Sequence, residues 1–261
     1  MAETVVMIHG MWGTGSYFAN YRAHFEGRGF NVVVPTLRHH DVAPEDPPPP
    51  ELGTTSLLDY AADLETLLRG MPEPPFVLGH SMGGLLAQLL AARGLCRAAI
   101  LLTPAAPAGV IAIRPSVLRA FWSGLSRWGF WRKPYRQTFA EASYAMLHLL
   151  PAAQQRAEYD RFVHESGRAA AEIGFWLFDP HHAARVDARA ITCPLLVLSA
   201  AEDRIVPAAV VRQTARRYPH AEYRELPGHA HWVVGEAGWE DVAGLCADWF
   251  LAKLNGTGMA G

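Results

Sequence analysis

Short apolar runs alternate with amphipathic stretches along most of this chain. The runs at residues 4–8 and 98–102 are almost continuously apolar, as is typical of strands that are buried on both faces of a sheet. In residues 55–69, by contrast, leucine and alanine recur at helical spacing. Because predicted strands alternate with predicted helices, the pattern indicates an α/β fold with a parallel sheet and right-handed crossovers.

We predict a mostly parallel sheet of about six strands with helices on both faces. The predicted strands are 4–8, 30–35, 76–78, 98–102, 194–199 and 221–226, and the predicted helices are 17–28, 55–69, 85–92, 207–218 and 239–254. The proline-rich segment 39–53 cannot form regular structure, so a long loop is expected there. Residues 255–261 are expected to fray.

The alternation stops between residues 107 and 189, where the chain becomes helical and rich in aromatic residues. This change indicates a helical insertion, with residues 1–106 and 190–261 forming the core. One α/β domain with an insertion suits 261 residues, half of them hydrophobic, better than two independent domains. We expect most aromatic residues of the insertion to form its own core. Its charged residues, such as Glu165, are expected on solvated helix faces.

The composition argues against several classes of partner. The chain has 23 Lys and Arg against 25 Asp and Glu, a formal net charge of -2, which predicts no affinity for nucleic acid or for an anionic membrane. Cys96, Cys193 and Cys246 are far apart and odd in number, so we expect buried free thiols and a reducing compartment. Residues 1–4 lack the basic start of a signal peptide, and no apolar run is long enough to span a bilayer. We therefore expect a soluble cytoplasmic protein.

The sequence Gly-His-Ser-Met-Gly at residues 79–83 lies between the apolar run 76–78 and the helical stretch 85–92. Glycines two positions before and after Ser81 leave room for a strained turn that raises the hydroxyl above the sheet. The helix that follows directs its N-terminal N–H groups and the positive end of its dipole at this serine. The context favours a nucleophilic serine over a glycine-rich turn without a catalytic role.

The strand, turn and helix around Ser81 resemble the α/β-hydrolase family, and the resemblance covers residues 4–254. Many family members begin with an antiparallel hairpin, whereas the first strand here starts at residue 4, which implies a six-stranded sheet without that edge. The resemblance also implies that the insertion is a helical cap over the serine. Some of its aromatic residues should then face a cavity, which favours an apolar acyl or aromatic substrate.

The same resemblance implies an oxyanion hole made of two backbone amides. In the family a His-Gly dipeptide follows the first parallel strand, and His9 and Gly10 match it here. The next residue donates its amide, which implies Met11, with Trp12 as the second choice. The residue after the nucleophile, Met82, is the other donor. His9 itself is expected to support the loop rather than to transfer protons.

The resemblance to the family also implies a catalytic acid and a catalytic base in two later loops. Asp203 follows the strand 194–199 at the acid position, and Glu202 is the neighbouring alternative. After the last strand, His229 matches the family's Gly-His dipeptide, whereas His231 has the family's glutamate five residues later. We assign His231 as the base, oriented by Asp203, and expect His229 to be an exposed loop residue. The order serine, acid, histidine also matches the family.

These residues imply a serine hydrolase that cleaves carboxylic esters through an acyl-enzyme, similar to small carboxylesterases, with no cofactor or metal. Two alternatives stay open. One is a lyase of the hydroxynitrile type, which relies on a cationic cap residue such as Arg132 or Lys133, and the other is a ligand-sensing protein with little turnover. Residues 39–41 and 181–182 lack the spacing of metal ligands, so surface histidines are expected. The expected partner is a small-molecule ester, and the chain is expected to be a monomer or homodimer.

Overall fold

The computed structural model describes residues 2–256. Its strands are β1 (Thr4–Ile8), β2 (Asn31–Val33), β3 (Phe76–His80), β4 (Ala98–Leu102), β5 (Pro134–Tyr135), β6 (Glu165–Ser166), β7 (Leu195–Ala200) and β8 (Ala221–Leu226). Its α-helices are α1 (Ala19–Gly27), α2 (Leu57–Arg69), α3 (Met82–Ala92), α4 (Pro115–Ala120), α5 (Trp122–Leu125), α6 (Phe139–Ala145), α7 (Ala152–Asp160), α8 (Gly167–Gly174), α9 (Ala208–Ala215) and α10 (Trp239–Gly256). Short 3-10 helices span Gly15–Phe18, Pro50–Thr54, Phe130–Arg132 and Trp176–Phe178.

Six strands form one parallel sheet in the order β2-β1-β3-β4-β7-β8. This confirms the predicted fold class and the predicted strand count. Every residue of β3 and of β4 is buried, as expected for predominantly apolar strands that are covered on both faces. Because all six strands are parallel, their carboxyl ends meet at one edge of the sheet, and the loops that carry the candidate site leave from that edge.

The helices have bounds close to the predicted ones, and the N-cap of α2 shows how a bound is set. Helix α2 begins after Ser56, whose hydroxyl accepts from the Leu58 amide while the Asp59 carboxylate accepts from the Ser56 amide. This capping box satisfies amides that the first helical turn leaves without partners. Helix α10 runs to Gly256, beyond its predicted end, and the fraying predicted for residues 257–261 lies outside the described residues.

The chain between β4 and β7 forms α4 to α8 and a small antiparallel sheet of β5 and β6. The helical character agrees with the sequence pattern, whereas the two-residue strands were not predicted. The expectation that most aromatic residues here form a local core is wrong for several of them. Trp122, Trp128 and Phe178 are 64%, 87% and 83% exposed, because the helices of this segment are too short to build a second layer over them.

The expectation that Glu165 lies on a solvated face is wrong, since its side chain is completely buried. One oxygen accepts from the Tyr60 hydroxyl at 2.8 Å and the other lies 3.1 Å from His40 Nε2. His40, which was expected on the surface, is also completely buried, and its Nδ1 lies 2.9 Å from the Arg38 carbonyl. With an acceptor at each ring nitrogen, His40 is an imidazolium paired with Glu165. This buried pair joins the loop after β2 to the inserted segment.

A second buried carboxylate, Glu172 of α8, also joins the inserted segment to the core. It accepts from the Ser56 hydroxyl at 2.8 and 2.9 Å and from the Leu57 amide at 2.7 Å. Arg168, one helical turn earlier, donates to the same carboxylate. A negative charge at the N-terminus of α2 is favourable because the helix dipole is positive there. The inserted segment is therefore fixed to the core by two carboxylates from adjacent elements.

Candidate active site

Ser81 lies between β3 and α3 in a backbone conformation that side chains rarely adopt, with φ of 55° and ψ of -120°. The turn is possible because two neighbours are glycine. A Cβ at Gly79 would lie 2.1 Å from the Gly83 carbonyl oxygen, and a Cβ at Gly83 would lie 2.1 Å from the Ile8 carbonyl oxygen. Both distances are far below contact, so the steric reason predicted for the two glycines is met in the structure.

The structure brings Ser81, His231 and Asp203 together in one hydrogen-bonded line. His231 Nε2 lies 2.9 Å from Ser81 Oγ, and His231 Nδ1 lies 2.7 Å from Asp203 Oδ2. The carboxylate can only accept, so Nδ1 carries the proton and Nε2 is left to accept from the serine hydroxyl. All three side chains are buried, with Ser81 the most exposed at 8%. The arrangement can remove the serine proton and stabilise the imidazolium that results.

Asp203 is held in place by the backbone that follows β7. Its Oδ1 accepts from the amides of Ile205 and Val206, both at 2.8 Å, which leaves Oδ2 for the histidine. Glu202, the alternative acid, is exposed. Because Asp203 keeps both of its amide partners whatever the histidine does, the carboxylate is preorganised for its contact with His231.

His229, the other candidate base, does not contact Ser81. Its Nδ1 lies 2.9 Å from Glu236 Oε1, and the same oxygen accepts from the Ala230 amide. The prediction of an exposed His229 is wrong, since only 13% of its side chain is accessible. Burial raises the pKa of Glu236, while the hydrogen bond from His229 opposes the shift. Glu236, whose spacing supported the assignment of His231 as the base, therefore contacts the loop backbone and His229 instead of His231.

Two further histidines support the site without charge. His80 Nε2 donates to the His231 carbonyl at 2.9 Å, and burial lowers the pKa of His80 to about 3. His9 Nε2 accepts from the Leu37 amide at 3.0 Å while its Nδ1 donates to the Gly10 carbonyl, and burial together with nearby His40 lowers its pKa to about 3. Both rings are neutral and stabilise the backbone through these hydrogen bonds. The support role was predicted for His9 but missed for His80, whose only signal was its place beside the serine.

The loop after β1 lies against the serine at the position expected for an oxyanion hole. A Cβ on Gly10 would lie 2.8 Å from the Ser81 Cβ, so only glycine allows this approach. The two predicted donors, Met11 and Met82, both line the cavity at Ser81. Met82 is the first residue of α3, where the helix presents amides without intrahelical partners and the positive end of its dipole.

The cavity over Ser81 is narrow and apolar. Its volume is about 120 Å³, close to that of apolar cavities that hold a single benzene ring. The inserted segment contributes Val117, Leu118, Phe121, Phe130, Ile173 and Phe175, and the loop after Asp203 contributes Ile205 and Val206. Sequence reasoning predicted aromatic residues facing a cavity but could not say which, because Phe121, Phe130 and Phe175 lie at the ends of short helices, where no helical periodicity indicates the buried side.

Within residues 2–256, no Asp, Glu, Lys or Arg lines this cavity. Lys133 is exposed and donates to the Trp128 carbonyl, and Arg132 lines a separate groove on the surface. The lyase alternative needs a cation beside the leaving group, so the cavity gives it no support. Across the same described residues, no group of three His, Cys, Asp or Glu side chains could hold a metal ion.

A sequence model of the α/β hydrolase family matches residues 5–245. Because this match spans most of the chain, the protein belongs to the α/β hydrolase family. The protein is thus a member of the family that the Gly-His-Ser-Met-Gly sequence resembles, and its fold is that of the family. Among residues 2–256, no helix combines the length and the apolar character needed to cross a bilayer.

Solved structures of similar fold include several hydrolases. A monoacylglycerol lipase from Paleococcus ferrophilus is 22% identical over 96% of this chain and 94% of its own, with a TM-score of 0.68. A thermophilic esterase from Thermogutta terrifontis is 22% identical over 97% and 91%, with a TM-score of 0.69. An extracellular α/β-hydrolase from a Paenibacillus species is 17% identical over 94% and 98%, with a TM-score of 0.72. At these identities the likeness is one of fold.

Proposed function

We propose that this protein is a serine hydrolase that cleaves carboxylic esters of apolar acyl or aromatic substrates. The observation that carries the proposal is the line of Ser81, His231 and Asp203 at the floor of an apolar cavity. A serine hydroxyl aligned on a neutral imidazole is activated for attack on a carbonyl. An uncharged acyl group would bury its surface in this cavity, whereas a charged metabolite would lose its hydration without gaining a partner.

In the proposed reaction, His231 Nε2 takes the Ser81 proton as Ser81 Oγ attacks the ester carbonyl. The amides of Met11 and Met82 hold the oxyanion of the tetrahedral intermediate. His231 then returns the proton to the leaving alcohol, and the acyl group stays on Ser81. Water attacks this acyl-enzyme with His231 again taking the proton, and the carboxylic acid leaves as Ser81 is restored. The chain's own groups supply every proton transfer.

Residues 107–189 act in this proposal as a cap that closes the acyl side of the cavity, with residues 1–106 and 190–261 as the catalytic core. Support comes from the cavity lining, since its helical side is contributed by this segment. Cys96, Cys193 and Cys246 are free, and Cys193 is the least buried of them. Free thiols suit the reducing conditions of the cytoplasm, which is the compartment we propose.

The test is hydrolysis of p-nitrophenyl esters from acetate to palmitate by the wild-type chain and by Ser81→Ala. We expect turnover to peak at a short or medium acyl chain, because the cavity is narrow, and to vanish in the variant. Trapping of the acyl-enzyme on the peptide that carries Ser81, detected by mass spectrometry, would identify the nucleophile independently. Activity that survives Ser81→Ala would overturn the nucleophile assignment. If no ester is cleaved although ligands bind in the cavity, a sensor function gains support.

A further inference from the structure

Charge is distributed unevenly along the inserted segment. Residues 74–140 contain no Asp or Glu, while residues 107–140 contain six Lys or Arg: Arg114, Arg119, Arg127, Arg132, Lys133 and Arg136. The net charge of -2 for the whole chain predicts no attraction to anionic surfaces, but that average conceals a basic stretch. Local charge, rather than the total, decides what approaches a given face of a protein.

Most of these cations have no carboxylate partner. Among residues 2–256, no ion pair involves Arg119, Arg127, Arg132 or Lys133, and all four are exposed. The Arg119 guanidinium stacks on the Tyr144 ring, and Lys133 donates to a backbone carbonyl. Among residues 2–256, basic residues outside this stretch more often have an acidic partner, as Arg38 does, although some such as Arg216 do not. Unpaired positive charge is therefore concentrated in this segment.

Exposed rings lie among these cations. We define the cap rim as Leu118, Trp122, Trp128, Trp131, Phe175 and Phe178, all of which are exposed. The Trp128 and Trp131 rings pack edge to face with centroids 5.3 Å apart. Trp131, Arg132, Phe175 and Phe178 line one surface groove, and Leu118, Arg119 and Trp122 line another depression. Exposed clusters of large apolar side chains on a soluble domain mark interaction surfaces.

The cap rim continues into the cavity over Ser81. Leu118 and Phe175 belong to the rim and also line the cavity. Ile113, which is not part of the rim, lines the cavity too and is 49% exposed. Phe130 lines both the cavity and the outer groove. The mouth of the cavity therefore lies between α4 and the end of α8, within the exposed apolar surface. Whatever covers the rim also faces the entrance to Ser81.

We propose that the cap rim docks the protein on an anionic lipid surface. Tryptophan and phenylalanine favour the boundary between headgroups and acyl chains, and arginine and lysine around them bind lipid phosphates. A second copy of the chain docking through the same face would place unpaired cations opposite one another, which disfavours that occupant. Docking would place the cavity mouth against the lipid, where it faces apolar esters dissolved among the acyl chains. That delivery role rests on the proposed function, whereas the docking itself does not.

The experiment measures binding of the Ser81→Ala chain to vesicles, so that no substrate turns over. Cosedimentation is compared for phosphatidylcholine alone and for phosphatidylcholine mixed with phosphatidylglycerol. We expect about 100-fold or stronger binding to the anionic vesicles, weakened by added salt because exposed charges are screened. Equal binding to both kinds of vesicle, or no binding to either, would overturn the proposal. A concentration-dependent dimer in solution that buries the rim would instead identify a second copy as the occupant.

Two sets of substitutions locate the surface. Replacing Arg127, Arg132 and Lys133 together by glutamine should weaken anionic binding by about 100-fold, at roughly fivefold or about 1 kcal/mol per charge. Trp128→Ser with Phe178→Ser should weaken it by about tenfold or more. The matched controls, Arg216→Gln and Leu58→Ser, change exposed residues outside the insertion and should leave binding unchanged. Controls that weaken binding as much as the rim variants would contradict the location.

Hydrolysis of p-nitrophenyl acetate separates this proposal from the proposed function. The rim variants, made in the wild-type chain, should keep their activity on this small ester while losing vesicle binding, which shows that they are folded. A wild-type chain without esterase activity that still binds anionic vesicles would refute the enzyme and leave the docking surface standing. Normal esterase activity without vesicle binding would do the reverse.

Discussion

The core and the inserted segment differ in how completely they bury their side chains. In β3, α3 and β4 nearly every residue is buried, whereas α7 and the short helix Trp176–Phe178 bury none. Close packing on all sides leaves the strained turn at Ser81, which we call the elbow, in a single conformation, as a nucleophile needs. An exposed apolar segment instead presents a surface to whatever covers it. In the proposed function, the core would hold the catalytic groups in place and the insertion would govern access to them.

The largest effect that would sharpen this comparison concerns catalysis in the core. Asp203→Asn keeps an oxygen for the amides of Ile205 and Val206 but presents the wrong group to His231 Nδ1. We expect kcat on a p-nitrophenyl ester to fall by roughly 10⁴-fold, as expected when the histidine loses its proper tautomer. The control Glu202→Gln changes an exposed neighbour and should retain wild-type kcat. A greater loss from Glu202→Gln would show that the acid has been misassigned.

The next effect concerns the stability of the core. In Gly83→Ala the added Cβ would lie 2.1 Å from the Ile8 carbonyl oxygen and 2.6 Å from that of His9. Backbone cannot move aside cheaply, so we expect the free energy of unfolding in urea to fall by about 4 kcal/mol. Gly27→Ala at the end of α1 adds a Cβ with nothing within 4 Å and should change stability by less than about 1 kcal/mol. Similar losses in both variants would argue against a uniquely crowded elbow.

A smaller effect tests the buried contact between the two regions. Glu165→Gln keeps the shape of the side chain but removes the charge opposite His40. Loss of one partner from a buried pair should cost about 3 kcal/mol of unfolding free energy. The lost contact lies at the boundary between core and insertion, so local unfolding should begin there. Proteolysis of the insertion should therefore accelerate before the core unfolds. Unchanged stability and proteolysis would mean that the pair does not fasten the insertion.

The same variant carries a pH dependence of defined sign. Burial alone would lower the pKa of His40, but the charge of Glu165 and their hydrogen bond raise it above the usual 6.5. A raised histidine pKa adds stability that is fully present below pH 6.5 and is lost as pH rises through the folded value. The stability difference between wild type and Glu165→Gln should therefore be largest in mild acid and should shrink toward alkaline pH. A difference that grows with pH would contradict a charged His40.

The smallest effect compares one helix cap in each region. Ser56 in the core and Thr138 in the insertion both form capping boxes, and each hydroxyl also donates to a buried carboxylate, that of Glu172 and that of Glu141 respectively. Ser56→Ala and Thr138→Ala should therefore each cost about 2 kcal/mol of unfolding free energy, since each loses a helix cap and deprives a buried carboxylate of a donor. Thermal or urea unfolding measures the two values, and a much smaller loss for Thr138→Ala would show that the insertion depends less on its cap than the core does.

The sequence by itself determined the sheet and the order of the candidate residues. Strands such as β1 and β4 were predicted with their observed bounds, because a strand buried on both faces must be almost entirely apolar and its residues reveal this in sequence. The elbow was predicted for a similar reason, since two glycines around Ser81 leave a local steric signature. Such features depend on residues close together in the chain.

Only the tertiary structure decided which distant groups meet. His40 and Glu165 are 125 positions apart, and neither position carries a local sign that a partner would allow it to be buried. The contact of Glu236 with His229 rather than His231, and the exposure of Trp128 and Phe178, were undecided or mispredicted for the same reason. Hydrophobic pattern states that a side chain can be buried, whereas the packing of remote elements decides whether anything covers it.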